Sequence, residues 1–346
     1  MSFETDCTRV FAGHQTFHPR YGWLKKGIDA VSADPRVFSN EDATVTLGVG
    51  KNMVDAIRFW CQAFGLITET STGRNSGYAI TQFGQSLMAD GGLDPFIEDL
   101  STLWILHWRA LAPTSQLPIW WLAFNQFPHI EFSEELLVEV CTDIVEASQF
   151  KTPNVTSIEK DVDCFLRMYS TKGLRGRQTI EDRLDSPFRE LGLVTPSPGK
   201  ENFQRFVSPH GHKVPSVAVV YAVLDFLSIR ETKSSTTSLT RLTIDEGSPG
   251  KVFKIGEQDI VLAIEEIFPD GELAKISSAA GALQLNISGD PAQLAHSMLI
   301  DFHSSRGVRK KARKDALLAG PSSRLVNHDS ASAVGAFAFS DESVDA

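Results

Sequence analysis

Two acid-rich segments flank a basic loop in the middle of the chain, and they are the best candidates for phosphodiester chemistry. Their acidic residues are Asp161 and Asp163 before the loop and Glu181, Asp182 and Asp185 after it. Carboxylates in such a pattern can hold Mg²⁺ or Mn²⁺ beside a phosphate and help activate water. The alternative is structural, because Asp163 and Arg167 have the i,i+4 spacing of an exposed helical ion pair. Asp182 and Asp185 are also of the type that caps or solvates a helix, so both interpretations stay open.

A second group of reactive residues lies in the segment FAGHQTFHPRYGWLKKG, residues 11–27. His14 and His18 are four residues apart, which on a helix would put both rings on one face. Pro19 follows His18 and indicates that a helix begins only after it. No third metal ligand accompanies the pair, so the pattern favours histidines satisfied by local contacts over a metal site. His14 remains a second catalytic candidate, with Arg20 and Lys25 near it in the chain.

The loop between the acidic segments carries a run of positive charge. Arg167, Lys172, Arg175 and Arg177 lie within residues 164–180, where there is no carboxylate. Glycines alternate with the cations, so backbone amides and side chains can meet the same phosphate. A merely solvated surface loop is the alternative. A further basic run, SSRGVRKKARK, adjoins a small, polar tail and suits nonspecific contact with a nucleic-acid backbone.

Residues 51–64 have the periodicity of an amphipathic helix whose polar face is suited to reading DNA. Its apolar stripe consists of Met53, Val54, Ile57, Trp60, Cys61 and Phe64. The opposite face presents Lys51, Asn52 and Arg58, side-chain types that contact phosphates and base edges in the major groove. A glycine turn precedes the helix, and two short strand-like runs with Arg74 in their turn follow it. This order predicts a winged helix-turn-helix, although such a module also serves in protein–protein packing.

A weaker copy of this pattern in the middle of the chain predicts a second winged-helix-like unit. Its helical stripe consists of Ile158, Val162, Phe165, Leu166 and Tyr169. The sequence EDRLDSPFRELGLV predicts a further helix and TPSPGKENFQRFV a wing. The sequence RETKSSTTS, residues 230–238, reads as a linker. Beyond it, Asp290 is expected to cap a helix that begins at Pro291.

These signals together predict a mainly α protein with small β hairpins, in the α+β class. A length of 346 residues favours several domains. We expect an N-terminal winged-helix DNA-binding domain over residues 1–95 and a helical middle domain with the second winged-helix-like unit over residues 96–230. A small α+β domain over residues 239–305 and a basic, then disordered tail over residues 306–346 follow.

The composition limits how the chain can meet nucleic acid. Acidic residues number 43 against 33 basic ones, a net charge of −10, so any contact with DNA must come from local patches. The four cysteines lack zinc-site spacing, and no phosphate-binding loop or dinucleotide fingerprint predicts a nucleotide cofactor. The first residues do not resemble a signal peptide, and the longest apolar run contains Asp225. We therefore expect a cytoplasmic, nucleoid-associated protein without a membrane partner.

Three motifs, FAGHQTFHPRYGWLKKG, GVGKNMVDAIRFWCQAFGLI and EDRLDSPFRELGLV, resemble a bacterial family known as domain of unknown function 4007. The resemblance extends over most of residues 11–305. Members of that family accompany DNA phosphorothioation gene clusters, which also encode a cysteine desulfurase, an ATPase and an ATP-dependent sulfur-transfer protein. Within that family the chain resembles the DNA-nicking component of the Ssp DNA phosphorothioation system, and this resemblance implies endonuclease activity.

The resemblance and the residue patterns together suggest a sequence-dependent DNA-binding protein that nicks one strand to allow sulfur incorporation. Mg²⁺ or Mn²⁺ is the expected cofactor. DNA and the other phosphorothioation proteins are the expected partners, and a second copy of the chain is a further candidate. One alternative is a noncatalytic winged-helix regulator or scaffold of the same system, and another is a module that binds only protein.

Overall fold

Helices dominate the structure, and its strands form small antiparallel sheets, which confirms the predicted α+β class. The computed structural model describes residues 2–70, 77–170, 186–209, 214–230, 236–279 and 281–318. Contacts divide the chain into one compact unit, residues 1–304, and a second unit, residues 305–346. The α-helices of the described ranges are α1 (Phe3–Asp6), α2 (Trp23–Ala33), α3 (Ala43–Leu47), α4 (Lys51–Ala63), α5 (Gln82–Met88), α6 (Leu100–Leu111), α7 (Pro118–Asn125), α8 (Glu134–Ala147), α9 (Val155–Tyr169), α10 (Ser216–Ile229), α11 (Leu239–Ile244), α12 (Pro249–Phe253), α13 (Glu257–Ile267) and α14 (Pro291–Leu318).

The strands that the structure describes pair in three sheets, each of them antiparallel. They are β1 (Ile67–Glu69), β2 (Tyr78–Ile80), β3 (Glu131–Ser133), β4 (Val194–Pro196), β5 (Phe203–Phe206), β6 (Thr236–Ser238), β7 (Ala274–Ala279) and β8 (Ala282–Ile287). The first sheet is the hairpin β1–β2, with Ile67 opposite Ile80. The second has the order β3–β5–β4 and the third the order β6–β8–β7.

The amino-terminal elements follow the predicted order of helix, turn, helix and hairpin. α3 ends at Gly48, whose φ of 63° lies in the left-handed region that glycine adopts without strain. α4 begins directly after Gly50 and buries the predicted apolar stripe, apart from Met53, which is half buried. The hairpin β1–β2 follows. Its turn, which contains Arg74, lies outside the described residues.

The middle of the chain confirms one predicted helix and corrects another. The stripe of α9 is fully buried and consists of Ile158, Val162, Phe165, Leu166 and Tyr169. In the described part of EDRLDSPFRELGLV, however, Pro187–Leu191 is a short 3₁₀ helix rather than an α-helix. Pro187 begins it and Gly192 ends it at a φ of 64°, which leaves too few residues for a regular α-helix. β4 and β5 pair as an antiparallel hairpin in the segment predicted as a wing, and β3 adds a third strand.

The predicted linker is ordered at both of its described ends. Thr236–Ser238 forms β6, where Thr236 Oγ1 donates a hydrogen bond to Asn286 Oδ1 at 2.7 Å. Arg230 forms an ion pair with Asp245 at 2.9 Å. The linker prediction is wrong for these residues because threonine, although common in linkers, also fits a strand. Residues 231–235 lie outside the described ranges.

The predicted cap of α14 is confirmed, since Ala292 N donates to Asp290 Oδ1 at 2.9 Å.

Aromatic side chains form the centre of the core of residues 1–304. Among the largest fully buried side chains are Trp60, Trp104, Trp108, Trp120 and Trp121. Polar contacts also join distant parts of this unit. Trp108 Nε1 donates to Asp225 at 2.7 Å, and Lys254 Nζ donates to the Phe124 carbonyl at 2.7 Å.

The predicted domain boundaries after residues 95 and 230 stay predictions. Within the described part of the chain, no helix is both long and apolar enough to span a bilayer.

Candidate nucleic-acid interface

α4 presents polar side chains along its exposed edge. Lys51 and Asn52, in its first turn, are exposed. Arg58 lies farther along the helix and forms an ion pair with Asp55 at 3.4 Å. The buried side of α4 packs against α2 and α3, which fixes the direction of the exposed edge. Lys51 and Asn52 are therefore accessible to a binding partner, whereas the Arg58 guanidinium is already paired with Asp55.

A strained turn, residues 12–16, lies beside α4. Ala12, Gln15 and Thr16 have φ angles of 53°, 52° and 67°. These left-handed values are unfavourable for residues other than glycine, and most of all for a β-branched threonine. Such strain persists only where surrounding contacts hold it, and it is concentrated at functional sites. Here Arg167 Nη2 donates to Thr16 O at 2.6 Å and ties the turn to α9.

A buried histidine–aspartate pair braces this turn from inside. His14 Nε2 donates to Asp161 Oδ1 at 2.7 Å, and Ala12 N donates to the same oxygen at 2.9 Å. The two side chains are 1% and 3% exposed. The His14 ring also packs against Trp60 and Trp120. The sequence marks His14 and Asp161 as separate catalytic candidates, and the fold joins them across 147 residues.

The proton of this pair resides on His14 at neutral pH. Burial alone would lower the pKa of His14, but the neighbouring Cys164 and Asp161 outweigh burial and raise that pKa to about 10. The imidazolium and the Asp161 carboxylate therefore form a charged pair inside a nonpolar environment. Since breaking such a pair leaves one buried charge without its counter-ion, the pair holds the strained turn firmly against α9.

Asp163 lies on the opposite side of α9 from Asp161. Two residues along an α-helix rotate a side chain by roughly 200°, so one carboxylate is buried while the other reaches solvent. The Asp163 side chain is 40% exposed and forms an ion pair with Arg167 at 2.7 Å. This confirms the i,i+4 pair that the spacing predicts. α9 therefore does not bring Asp161 and Asp163 together in one cluster.

Three arginines lie near enough to His18 for their charges to act on its ring, and we call them the arginine cluster. Arg20 precedes α2, Arg167 lies in the last turn of α9, and Arg189 lies in the 3₁₀ helix. Burial, and then the positive charges of these three arginines, lower the pKa of His18 to about 4. His18 is therefore neutral at pH 7, with Nδ1 3.3 Å from the Pro19 carbonyl oxygen. The positive charge at this point comes from the arginines.

Each arginine of the cluster is held by a specific contact. Arg189 Nε and Nη2 donate to Arg167 O at 3.0 and 2.8 Å, at the carboxyl-terminal end of α9. The Arg20 guanidinium lies over the rings of Phe17 and Trp23, at 5.9 and 5.4 Å from their centroids. These contacts limit how far the guanidinium groups can swing. The cluster is therefore preorganised rather than a set of loose surface cations.

The described acidic candidates Asp161 and Asp163 are already engaged in hydrogen bonds or an ion pair. Across the ranges that the structure describes, no three His, Cys, Asp or Glu side chains are grouped to hold a metal ion. Asp161 already accepts hydrogen bonds from two N–H donors, and Asp163 is bound by Arg167. The other acidic candidates, Glu181, Asp182 and Asp185, lie outside the described residues.

The remaining predicted DNA-binding residues also fall outside the described residues. They are Arg74, Lys172, Arg175 and Arg177. The two anchors of segment 171–185 are described, however. Ser186 Oγ donates to Met168 O at 2.7 Å, and Ser170 Oγ donates to Gln204 Oε1 at 2.7 Å. Both ends of the segment are thus attached near Arg167.

Sequence reasoning missed Arg189 and the partnership of His14 with Asp161. Arg189 resembles any exposed arginine in the sequence, because its role depends on where α9 ends in space. The turn at residues 12–16 contains Gly13, but the strained angles fall on its neighbours. No local signal therefore marks this turn as strained.

Comparison with known proteins supports one family. Residues 11–303 match the family described as "Protein of unknown function (DUF4007)". The chain is 35% identical to a structure described as "Magnesium ion-bound SspB crystal structure" and 34% identical to one described as "SspB crystal structure". Both comparisons have a TM-score of 0.81 and cover 87% of this chain and 90% of the other. None of the curated proteins matches. The match over most of its length, in sequence and in fold, shows that this chain belongs to the DUF4007 family.

Proposed function

We propose that this protein is the sequence-dependent DNA-binding component of a bacterial DNA phosphorothioation system and that it nicks one strand. The observation that carries the proposal is its similarity to SspB, at 35% identity over 87% of the chain. The motifs of residues 11–27 and 48–67 resemble a family that accompanies phosphorothioation genes. An opened strand would give the sulfur-transfer enzyme access to the backbone phosphate whose oxygen is replaced.

Recognition of bases is assigned to the amino-terminal elements. α3, the glycine turn, α4 and the hairpin β1–β2 have the order of a winged helix-turn-helix. Lys51 and Asn52 are exposed on α4 and have the side chains that contact phosphates and adenine edges. Arg58 is a weaker candidate because Asp55 already pairs with it. Arg74, in the turn of the hairpin, is the proposed contact of the wing.

Contact with the DNA backbone is assigned to the segment that carries Lys172, Arg175 and Arg177, together with Arg167. Phosphate contacts position a protein on DNA without reading its sequence, so they complement the role of α4. Because the chain carries a net charge of −10, local patches such as this one must provide the attraction. The proposed protein partners are the cysteine desulfurase, the ATPase and the sulfur-transfer enzyme of the same system, and a second copy of the chain.

The nicking activity is proposed to need Mg²⁺ or Mn²⁺. A related structure is described as magnesium ion-bound. Glu181, Asp182 and Asp185 are the acidic candidates that remain after Asp161 and Asp163 are found in pairs with His14 and Arg167. These two pairs also favour the second candidate function, a noncatalytic DNA-binding regulator or scaffold. In that case Asp161 and Asp163 have only structural roles.

Incubation of the purified full-length protein with supercoiled plasmid and Mg²⁺ or Mn²⁺ separates these functions. Conversion to open circle, abolished by a chelator, is the result we expect. A shift in mobility without conversion would support the noncatalytic DNA-binding protein. If the plasmid is neither converted nor shifted, both functions are contradicted, and a module that binds only protein is favoured. The Asp182→Asn variant tests the acidic segment, and it should bind plasmid but nick it poorly.

A further inference from the structure

We propose that a cleft between α5, α10 and α14 binds one nucleobase that has turned out of the DNA helix. This inference rests on the proposed function, because it adds a subsite for the same DNA ligand. The cleft has a volume of about 420 Å³, a size typical of pockets that enclose small ligands. Its walls include Gln82 and Phe83 on α5, Tyr221 on α10, and Gln293 and His296 on α14.

An aromatic wall gives the cleft a flat surface. The centroids of the Phe83 and Tyr221 rings are 6.2 Å apart, and the rings are inclined to each other by 28°. The Arg109 guanidinium lies 5.2 Å from the Phe83 centroid and limits the movement of that ring. Because Phe83 is only partly buried and lines the cleft, part of its surface is available for stacking with a heteroaromatic ring.

The charge of the lining favours an uncharged ligand. Among the described residues that line the cleft, Asp225 is the only Asp, Glu, Lys or Arg. Arg109 forms an ion pair with Asp225 Oδ1 at 3.3 Å, and Trp108 Nε1 donates to Asp225 Oδ2 at 2.7 Å. A carboxylate that is already neutralised attracts a further cation only weakly, and the lining offers no cation for a phosphate.

The polar groups that remain available in the cleft suit the edge of a base. Within the described part of the chain, the side chains of Gln82, Gln293, His296 and Ser297 form no hydrogen bond to another protein group. A glutamine amide both donates and accepts, and it matches the adjacent donor and acceptor on a base edge. Hydrogen bonds to the base edge, combined with an apolar stacking surface, are how proteins hold a base outside the helix.

α14 contributes small side chains that leave room for a ring. Ala292, Ala295 and Leu299 line the cleft, and their spacing of three and four residues places them on one face of the helix. Because alanine ends at Cβ, this face does not fill the cleft. A larger side chain at the exposed position Ala292 would occupy the space without entering the core.

The cleft is fixed to the elements that are proposed to hold DNA. Thr81, which caps α5, donates its hydroxyl hydrogen bond to Gly65 O at 2.7 Å, just after α4. A Cβ at Gly84 would lie 2.2 Å from Leu66 O, so α5 packs directly on the chain that leads into β1. DNA held by α4 and the hairpin β1–β2 would therefore be held by the same body that carries one wall of the cleft.

Duplex DNA that contains 2-aminopurine tests this inference, because the fluorescence of this base is quenched by stacking in the helix. The full-length protein is added, with a chelator that prevents nicking, to a series of duplexes that it binds. In this series 2-aminopurine takes each position in turn. We expect the fluorescence to rise several-fold at one position and to stay low at the others.

Three variants locate the displaced base in the cleft. Ala292→Phe fills the cleft and should abolish the rise in fluorescence. Gln82→Ala and Gln293→Ala each remove one amide and should reduce the rise several-fold. Gln85→Ala is the matched control, because Gln85 is exposed on the same helix as Gln82 but does not line the cleft. This control should keep the full rise, and thermal melts check that each variant is folded.

The outcomes distinguish this inference from the proposed function. If the unaltered protein binds duplex DNA but no position gains fluorescence, the inference is wrong and the proposed function stands. A rise that persists in a folded Ala292→Phe protein, or in both glutamine variants, would place the displaced base elsewhere and also overturn the inference. If the unaltered protein binds no DNA, both ideas fail.

Discussion

At the scale of single residues, burial decides which role a titratable side chain has. Asp161 and Asp163 are two residues apart in one helix, yet Asp161 is buried against His14 while Asp163 is exposed beside Arg167. The first carboxylate stabilises a strained turn, and the second contributes a surface ion pair. The i,i+4 spacing in the sequence predicts the Asp163–Arg167 ion pair. Nothing in the sequence indicates the His14–Asp161 pair.

The buried pair should matter far more to stability than the exposed one. We expect Asp161→Asn to lower the free energy of unfolding by roughly 3–5 kcal/mol, because it leaves a buried imidazolium without its counter-ion. Asp163→Asn, on the other side of the same helix, should lower it by about 1 kcal/mol or less. Urea unfolding at neutral pH measures both. Equal destabilisation of the two variants would show that His14 is not charged in the folded protein.

Another buried histidine, His107 in α6, should make the protein sensitive to acid. His107 Nε2 donates to Val252 O at 3.0 Å, and Nδ1 accepts from the Tyr169 hydroxyl at 2.7 Å, so the ring is satisfied when neutral. Burial lowers its pKa to about 4, from 6.5 in the unfolded chain. As the pH falls below 6.5 the unfolded chain binds the proton first, and stability falls, by roughly 3 kcal/mol when pH 4 is reached.

The His107→Gln variant tests this acid sensitivity by urea unfolding at neutral and at mildly acidic pH. The variant should be less stable than the unaltered protein at neutral pH, because glutamine does not reproduce both hydrogen bonds. It should nevertheless lose less stability on acidification. A parallel decline in stability of the two proteins would mean that His107 does not titrate during unfolding.

At the scale of secondary-structure elements, α4 separates a buried apolar face from an exposed polar face. Val54, Ile57, Trp60 and Cys61 are at most 4% exposed, whereas Lys51 and Asn52 are exposed. A helix with this division can change its outer residues without disturbing the fold. Such a face could serve any ligand of this helix, so the binding experiment has to discriminate between DNA sequences.

We expect Asn52→Ala to relax sequence preference by about 1–3 kcal/mol for each base edge that the variant no longer reads. Thermal stability should stay within about 0.5 kcal/mol of the unaltered protein, as is usual for a surface substitution. Competition between duplexes of different sequence measures the preference. Ile57→Ala is the control for a packing effect, and it should destabilise the fold by about 2–5 kcal/mol. Unchanged preference in a folded Asn52→Ala protein would exclude α4 as the reading helix.

The sequence predicts elements with strong periodicity well and predicts their tertiary packing poorly. The stripes of α4 and α9, the cap at Asp290 and two hairpins follow from local patterns that the structure confirms. Pro187–Leu191 is a 3₁₀ helix and Thr236–Ser238 a strand, because neighbouring chain segments decide the conformation of such short stretches. The arginine cluster depends on three elements meeting, which no local pattern contains.

At the scale of the whole molecule, the polar contacts of residues 1–304 connect parts of the chain that are far apart in sequence. His107 bonds to Val252, Asn125 to Gly247 and Lys254 to Phe124. The elements after residue 230 therefore complete the core around α6 and α7. Cutting the chain between the predicted domains would expose this core to water.

A chain that ends at residue 230 should consequently fail to fold as the full-length protein does. We expect it to melt without a sharp transition, because removal of Val252, Phe253 and Lys254 exposes the aromatic core beside them. The full-length protein should unfold in one main transition over residues 1–304. Calorimetry of both chains measures this. Two separate transitions, or a truncated chain with an unchanged melting temperature, would instead support independent domains at the predicted boundaries.

The charge of the surface also predicts where DNA does not bind. A groove of about 650 Å³ between α8 and α9 is lined mainly by acidic side chains. Its carboxylates are Glu134, Glu135, Glu139, Asp143, Glu159 and Asp163. Phosphate groups are repelled by such a surface. This acidic groove is therefore an internal control for any map of the interface with DNA.

Amide hydrogen exchange of the full-length protein, with and without duplex DNA, tests the central claim most directly. We expect DNA to slow exchange in residues 11–22, in the first turn of α4 and around Arg167 and Arg189. Exchange along the acidic groove, in α8, should not change. Slower exchange in α8 with no effect on α4 or the arginine cluster would contradict the proposed interface. No effect anywhere at a DNA concentration far above that of the protein would contradict DNA binding itself.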